Sequence, residues 1–152
     1  MINIFSKKRF LTLSLVFIFG SFLLFLGLGS TGLVDETPPL FASAGRAMSH
    51  SGDWLTPKVN GILRLDKPPF YYWLMAIFYS IPANESWDKL GSLSARLPSA
   101  LSTLFLMMLI ADTVFCATEN SKVKMQLALI ASLSFVLSPL MIIWSRTAVS
   151  DS

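Results

Sequence analysis

The sequence predicts an all-α integral membrane protein with three transmembrane helices and a long outer-face loop carrying two short interfacial helices. Three observations lead there. Hydrophobic residues make up 53% of the 152-residue chain and charged residues only 14%, against about 25% in soluble domains. Two runs, 10–34 and 125–145, hold no charged residue and exceed the roughly 20 apolar residues that cross a bilayer. Basic residues gather before the first run (Lys7, Lys8, Arg9) and before the last (Lys122, Lys124), where the positive-inside bias puts both groups in the cytoplasm.

The elements follow in order. Residues 1–9 form a basic cytoplasmic N-terminus, and 10–34 form the first span. Its apolar core is longer than the about 7–15 residues of a cleaved signal peptide. Residues 97–118 read as the second span, interrupted only by Asp112 near its end. The loop 119–124 returns the chain to the cytoplasm, and 125–145 is the third span, with Pro139 expected to kink it. The remaining apolar stretch, FYYWLMAIFYSIP at 70–82, has 13 residues and is too short to span upright. Its Tyr and Trp content suits a helix lying at the interface. Reading it as a tilted fourth span instead would move the lysine loop outside.

This topology leaves 35–96 as one outer-face loop. It carries six acids and six bases, so charge attraction to a surface is not its purpose. The net charge of the whole chain, +3, and the absence of a basic stripe with interleaved aromatics argue against a nucleic-acid partner. A single cysteine, Cys116, excludes an internal disulfide and any CxxC motif, and reads as a packing residue.

Within the loop, Thr37 can cap a helix that tolerates Pro38 and Pro39 in its first turn. Leu40, Ala44 and Met48 recur at four-residue spacing beside Phe41 and Ala47, an apolar stripe suited to the membrane surface near 39–48. Gly52 ends it. Asp35 and Glu36 stand just ahead of this helix, where two readings are open: they favour the helix dipole, or they do chemistry. His50 reads as solvated, Trp54 as an interfacial anchor, and SGDW with Pro57 and Gly61 as turns. In DKPP, Pro68 and Pro69 fix an extended chain and start the next helix abruptly. Lys67 is thereby held beside aromatics, as a point charge for a lipid phosphate or as an ordinary snorkelling lysine. Arg96 starts a span and has the same two readings.

Taken in order, the residues are familiar. The DE pair after the first span, an alanine-rich helix with Arg46 and Met48, GDW-x-x-P, a glycine, DKPP before YYWL, and RLPSA resemble the N-terminal part of one membrane glycosyltransferase family. It comprises the bacterial aminoarabinose transferases and related protein O-mannosyltransferase-like enzymes of the GT-C superfamily. The resemblance runs from the first span to Ser152. It implies transfer of a sugar from a polyprenyl-phosphate carrier to a glycolipid or protein acceptor on the outer face of the inner membrane, with inversion at the anomeric carbon.

By the same resemblance Asp35 is the catalytic base or acceptor-orienting group, and Asp151, in an R-x-x-x-x-D pattern with Arg146, is a second catalytic acid. Lys67 contacts the donor phosphate, and Glu36, Arg46, Tyr71 and Arg146 complete the substrate-binding set. Members commonly carry glutamate before that lysine, a metal ligand in some; Asp66 stands there here, so a divalent metal is an expectation on a shorter acid. No nucleotide cofactor is expected, because the lipid phosphate is itself the leaving group. Such enzymes continue with many more spans, so this sequence is expected to be the N-terminal part of a GT-C fold. The competing reading is a non-catalytic membrane scaffold or a lipid-carrier-binding subunit, in which Asp35, Lys67 and Asp151 need not meet.

Overall fold

A computed structural model describes residues 7–34, 37–65 and 67–148. The chain is mostly helical: α1 (Lys7–Phe25), α2 (Thr37–Ser51), β1 (Lys58–Val59), β2 (Ile62–Leu63), α3 (Phe70–Tyr79), α4 (Asn84–Trp87), α5 (Ser92–Ala117), α6 (Lys124–Val136) and α7 (Pro139–Ser145). It divides into two compact units, Met1–Leu26 with Ala100–Ser145 and Gly27–Ser99 with Arg146–Ser152.

In the first unit, α1 and α5 are long and apolar enough to cross a membrane. At about 1.5 Å per residue their 19 and 26 residues reach about 28 and 39 Å, against a hydrocarbon core of about 30 Å. Each buries one narrow stripe. On α1 it is Thr12, Val16, Gly20 and Leu24; on this part of α5 it is Leu104, Met107, Ala111 and Phe115. Outside these stripes stand Phe10, Ile18, Phe22, Phe105 and Leu109, all exposed. A helix apolar on every face belongs in lipid or deep in a core.

Gly20 is where α1 and α5 cross, since a Cβ there would lie 2.8 Å from both Leu104 Cδ1 and Met107 Sδ. At one end of the pair Arg9 meets Asp112 through two hydrogen bonds of 2.6 and 2.7 Å. With Gly20 opposite Leu104 and Arg9 opposite Asp112, the two helices run antiparallel. Asp112 thus interrupts the apolar run because it holds the guanidinium of Arg9.

One expectation for the spans needs correction, and the kink expected in the third is sharp. The first helix ends at Phe25, well short of Val34: Gly27 adopts φ +66°, a left-handed conformation that ends a helix, and accepts Ser30 N–H at its carbonyl. The third expected span is two helices, α6 and α7, bent by 67°. Pro139 cannot donate to the carbonyl four residues back, and it forces Ser138 out of helical geometry. The chain restarts with proline at the first position of α7, where Ser138 O accepts Ile142 N–H at 3.1 Å. Cys116 is exposed on α5 instead of packed.

The second unit is built on α2 and α3. Phe41, Ala42, Ala44 and Met48 of α2 are buried with Tyr72, Met75, Ala76 and Tyr79 of α3, joined by Ala95 and Ala148. Gly45 sets the approach, because a Cβ there would sit 2.9 Å from Met75 Cβ and 3.4 Å from the Tyr72 carbonyl. The Phe41 ring stacks on Tyr72 at 5.2 Å and meets Tyr71 edge-on at 5.8 Å. The apolar stripe of α2, expected to lie on the membrane surface, is therefore turned onto α3.

Two further elements complete this unit. Asn60 and Gly61, at φ 52° and 80°, form a hairpin turn that pairs Lys58 with Leu63 and Val59 with Ile62. Asp88 is buried and accepts the N–H groups of Leu93 and Ser94 at 3.1 and 2.7 Å, which caps α5.

Candidate active site

The segment ahead of α3 is fixed by several contacts. Pro69 sits at the N-terminus of α3 with φ −70°, and its carbonyl accepts Trp73 N–H at 3.0 Å. The Trp73 indole donates to the Trp54 carbonyl at 2.5 Å, and Trp54 itself packs against the α2–α3 core. The GDW segment is thus bound to the aromatic helix, and Trp54 serves packing. Asp53 ties the turn: it accepts the N–H groups of Leu55 and Thr56 and the Thr56 hydroxyl, with Lys58 Nζ at 3.4 Å. The Thr56 hydroxyl and backbone bonds hold its carboxyl down at about 2. Lys67 lies half-buried two residues before Pro69.

Tyr71 faces inward. Its hydroxyl is 3.0 Å from Ser99 Oγ on α5, and burial raises its pKa above the ordinary phenol value. Arg46, exposed on α2, donates to Glu85 Oε1 at 2.6 Å. It also lines an open cleft of about 340 Å³ with Leu33, Pro39, Ser43, Tyr79 and Gly91. Tyr79 closes one wall by donating its hydroxyl to the Gly91 carbonyl at 2.5 Å, and burial raises its pKa. Leu33 and Pro39 flank Asp35 and Glu36 in the sequence.

Arg96 is committed elsewhere. Its Nη1 donates to the carbonyls of Leu28 and Thr31 at 2.7 and 2.9 Å, and its Nη2 to that of Gly32 at 2.9 Å. It fastens the segment after α1 to the start of α5, a clamp on backbone carbonyls that differs from the expected snorkelling. Arg146 is half-buried near Gly27, whose added Cβ would stand 3.9 Å from Arg146 Nη2.

Of the residues expected from the sequence, Arg46, Lys67, Tyr71 and Arg146 all belong to the second unit. Asp35, Glu36, Asp66 and Asp151 lie outside the described residues, and the expected convergence of Asp35, Lys67 and Asp151 with them. Among the described residues no three of His, Cys, Asp or Glu come together, so they supply no ligand set for a divalent metal. His50 is exposed at the end of α2. Two features escaped the sequence reading: the Glu85 partner of Arg46, which no spacing rule reveals, and the hairpin, which the Asn60–Gly61 dipeptide does announce.

Two relatives are similar to this chain. Over 130 residues, 85% of the chain, it is 33% identical to an uncharacterized protein of Aquifex aeolicus, of which it covers 24%. Over 83 residues, 55% of the chain, it is 32% identical to the undecaprenyl phosphate-α-4-amino-4-deoxy-L-arabinose arabinosyl transferase of Pseudomonas savastanoi pv. phaseolicola, of which the match covers 14%. The chain thus spans a quarter or less of the length of these relatives. No protein-family profile matches it, and no solved structure does. The likeness to a glycosyltransferase is distant and partial.

Proposed function

We propose that this chain carries the N-terminal, donor-binding part of a membrane glycosyltransferase that takes a sugar from a polyprenyl phosphate and delivers it to a glycolipid or protein on the outer face. The partial likeness to an arabinosyl transferase supports the reaction class. The observation that carries the donor assignment is local: half-buried Lys67 precedes α3 across two prolines, and α3 exposes Phe70 and Ile77. A cation beside an apolar helix face matches a phosphate on an isoprenoid chain.

The chemistry asks little more. The bond from the anomeric carbon to the phosphate oxygen breaks while an acceptor oxygen bonds to the opposite face of that carbon. The electron pair leaves with the lipid phosphate, whose added charge Lys67 and Arg146 offset. The acceptor proton goes to the Asp35 carboxylate. Arg96 takes no part, since its guanidinium already serves three carbonyls. The second acid of the pattern, Asp151, orients the acceptor.

Two substitutions in the full-length protein separate the roles. Asp35→Asn keeps size and hydrogen bonding but removes the base, so turnover should fall by about 10²–10⁴ with donor binding nearly intact. Lys67→Ala removes a counter-charge present in ground and transition states alike, so donor binding should weaken along with turnover. If Asp35→Asn transfers sugar at near wild-type rate, the carboxylate only caps a helix and the catalytic assignment is wrong.

A further inference from the structure

The hairpin presents an unusual surface. Between 55 and 70, five large apolar side chains are at least half exposed: Leu55 79%, Ile62 74%, Leu63 50%, Leu65 70% and Phe70 63%. Ile62 and Leu63 point to opposite faces of β2 and both are exposed, so neither face of the strand is buried. Val59, across from Ile62, does pack against the α2–α3 core. Below the ladder, buried Pro57 accepts Arg64 N–H at 2.8 Å, so the first strand is anchored at both ends while the turn residues and the second strand stand clear. In water such an edge invites aggregation.

We infer that β2 and the hairpin tip insert into the interfacial layer of a lipid bilayer, as a membrane-docking element of the second unit. This rests on reading α1 and α5 as membrane spans. Three features favour lipid over a protein partner. The second unit begins at Gly27, two residues after α1 ends, and takes in the first turns of α5, so short covalent links hold it to both spans. Segment 53–67 carries Lys58, Arg64 and Lys67 against Asp53 and Asp66, a small basic excess that does not oppose anionic head groups. The exposed apolar side chains of 55–65 are Leu and Ile, with none of the Trp or Tyr that anchor protein interfaces. The apolar stripe of α2 is turned onto α3, so the hairpin takes over the role the sequence assigned to that helix.

The test uses the whole chain in vesicles of phosphatidylethanolamine and phosphatidylglycerol. In a Cys116→Ser background, an environment-sensitive fluorophore is attached at Ile62→Cys or Leu65→Cys, with Ser51→Cys at the exposed end of α2 as the aqueous control. All three positions are exposed, so folding should tolerate them. The inference expects the Ile62 and Leu65 probes to be quenched by shallow spin-labelled lipid and several-fold less by aqueous iodide than the Ser51 probe. Aqueous quenching equal to that at Ser51 overturns it. So does shielding from both quenchers, which would mean that protein covers the hairpin. Release of the chain from vesicles by alkaline carbonate would instead sink the reading of α1 and α5 as spans, a failure distinct from either.

Discussion

Arg9 and Asp112 are 103 positions apart in sequence, yet their side chains meet at 2.6 Å. Each is less than a third exposed, so removing one costs the other a partly shielded, charge-assisted bond. Asp112→Ala should cost about 1.5–3 kcal/mol, the worth of hydrogen bonds to a charged group. Exchanging the pair (Arg9→Asp with Asp112→Arg) should recover most of it, as thermal unfolding in detergent can measure. No recovery would mean that the pairing is incidental. From sequence Asp112 was only a break in an apolar run; its partner depends on an antiparallel register that no local pattern encodes. Asp53 behaves differently because its partners are two and three residues away. Its depressed carboxyl favours the folded turn above the unfolded value near about 3.9, and that contribution is lost as pH falls through about 2. Asp53→Asn should therefore loosen the 53–58 turn at pH 7 and make no difference in strong acid, with amide exchange at Leu55 and Thr56 as the readout.

At the scale of elements, amphipathic pattern revealed helices but not their partners. The four-residue repeat through Ala44 and Met48 was legible, and α2 does form there. That its stripe faces α3 was not, because a stripe records only that some apolar surface is wanted. Gly45 is the better clue in hindsight, since only a glycine lets α3 come this near. Gly45→Val should cost about 1–3 kcal/mol by overpacking. Limited proteolysis should then cut the second unit first; unchanged protease resistance would deny Gly45 this role. The short length of α3 was readable from the 13-residue stretch 70–82, and its 10 helical residues reach only about 15 Å. Pro139 signalled a kink but not a bend of 67°, which depends on what packs around the break.

For the whole molecule, composition and run length sufficed to foresee a mostly helical chain with at least two apolar helices of spanning length. The side on which each loop lies rests on the lysine bias alone. In Cys116→Ser chains, a membrane-impermeant thiol reagent applied from outside should label Ser51→Cys and spare Ser121→Cys; the reverse pattern would overturn the topology. The proposed site is a reading of motifs, each chosen for its own chemistry: proline for a fixed start, lysine for phosphate, an acid pair for a proton. What motifs could not tell is which neighbours already occupy those groups, as carbonyls occupy Arg96 and Glu85 occupies Arg46. The central claim is that Lys67 and the helix behind it grip a lipid-linked phosphate. Native mass spectrometry of the full chain in nanodiscs, with equal undecaprenyl phosphate and undecaprenol, tests it directly. The phosphate should be retained and the alcohol lost, and Lys67→Ala should abolish the difference while leaving the chain folded. Equal retention of phosphate and alcohol by the wild-type chain would contradict the account.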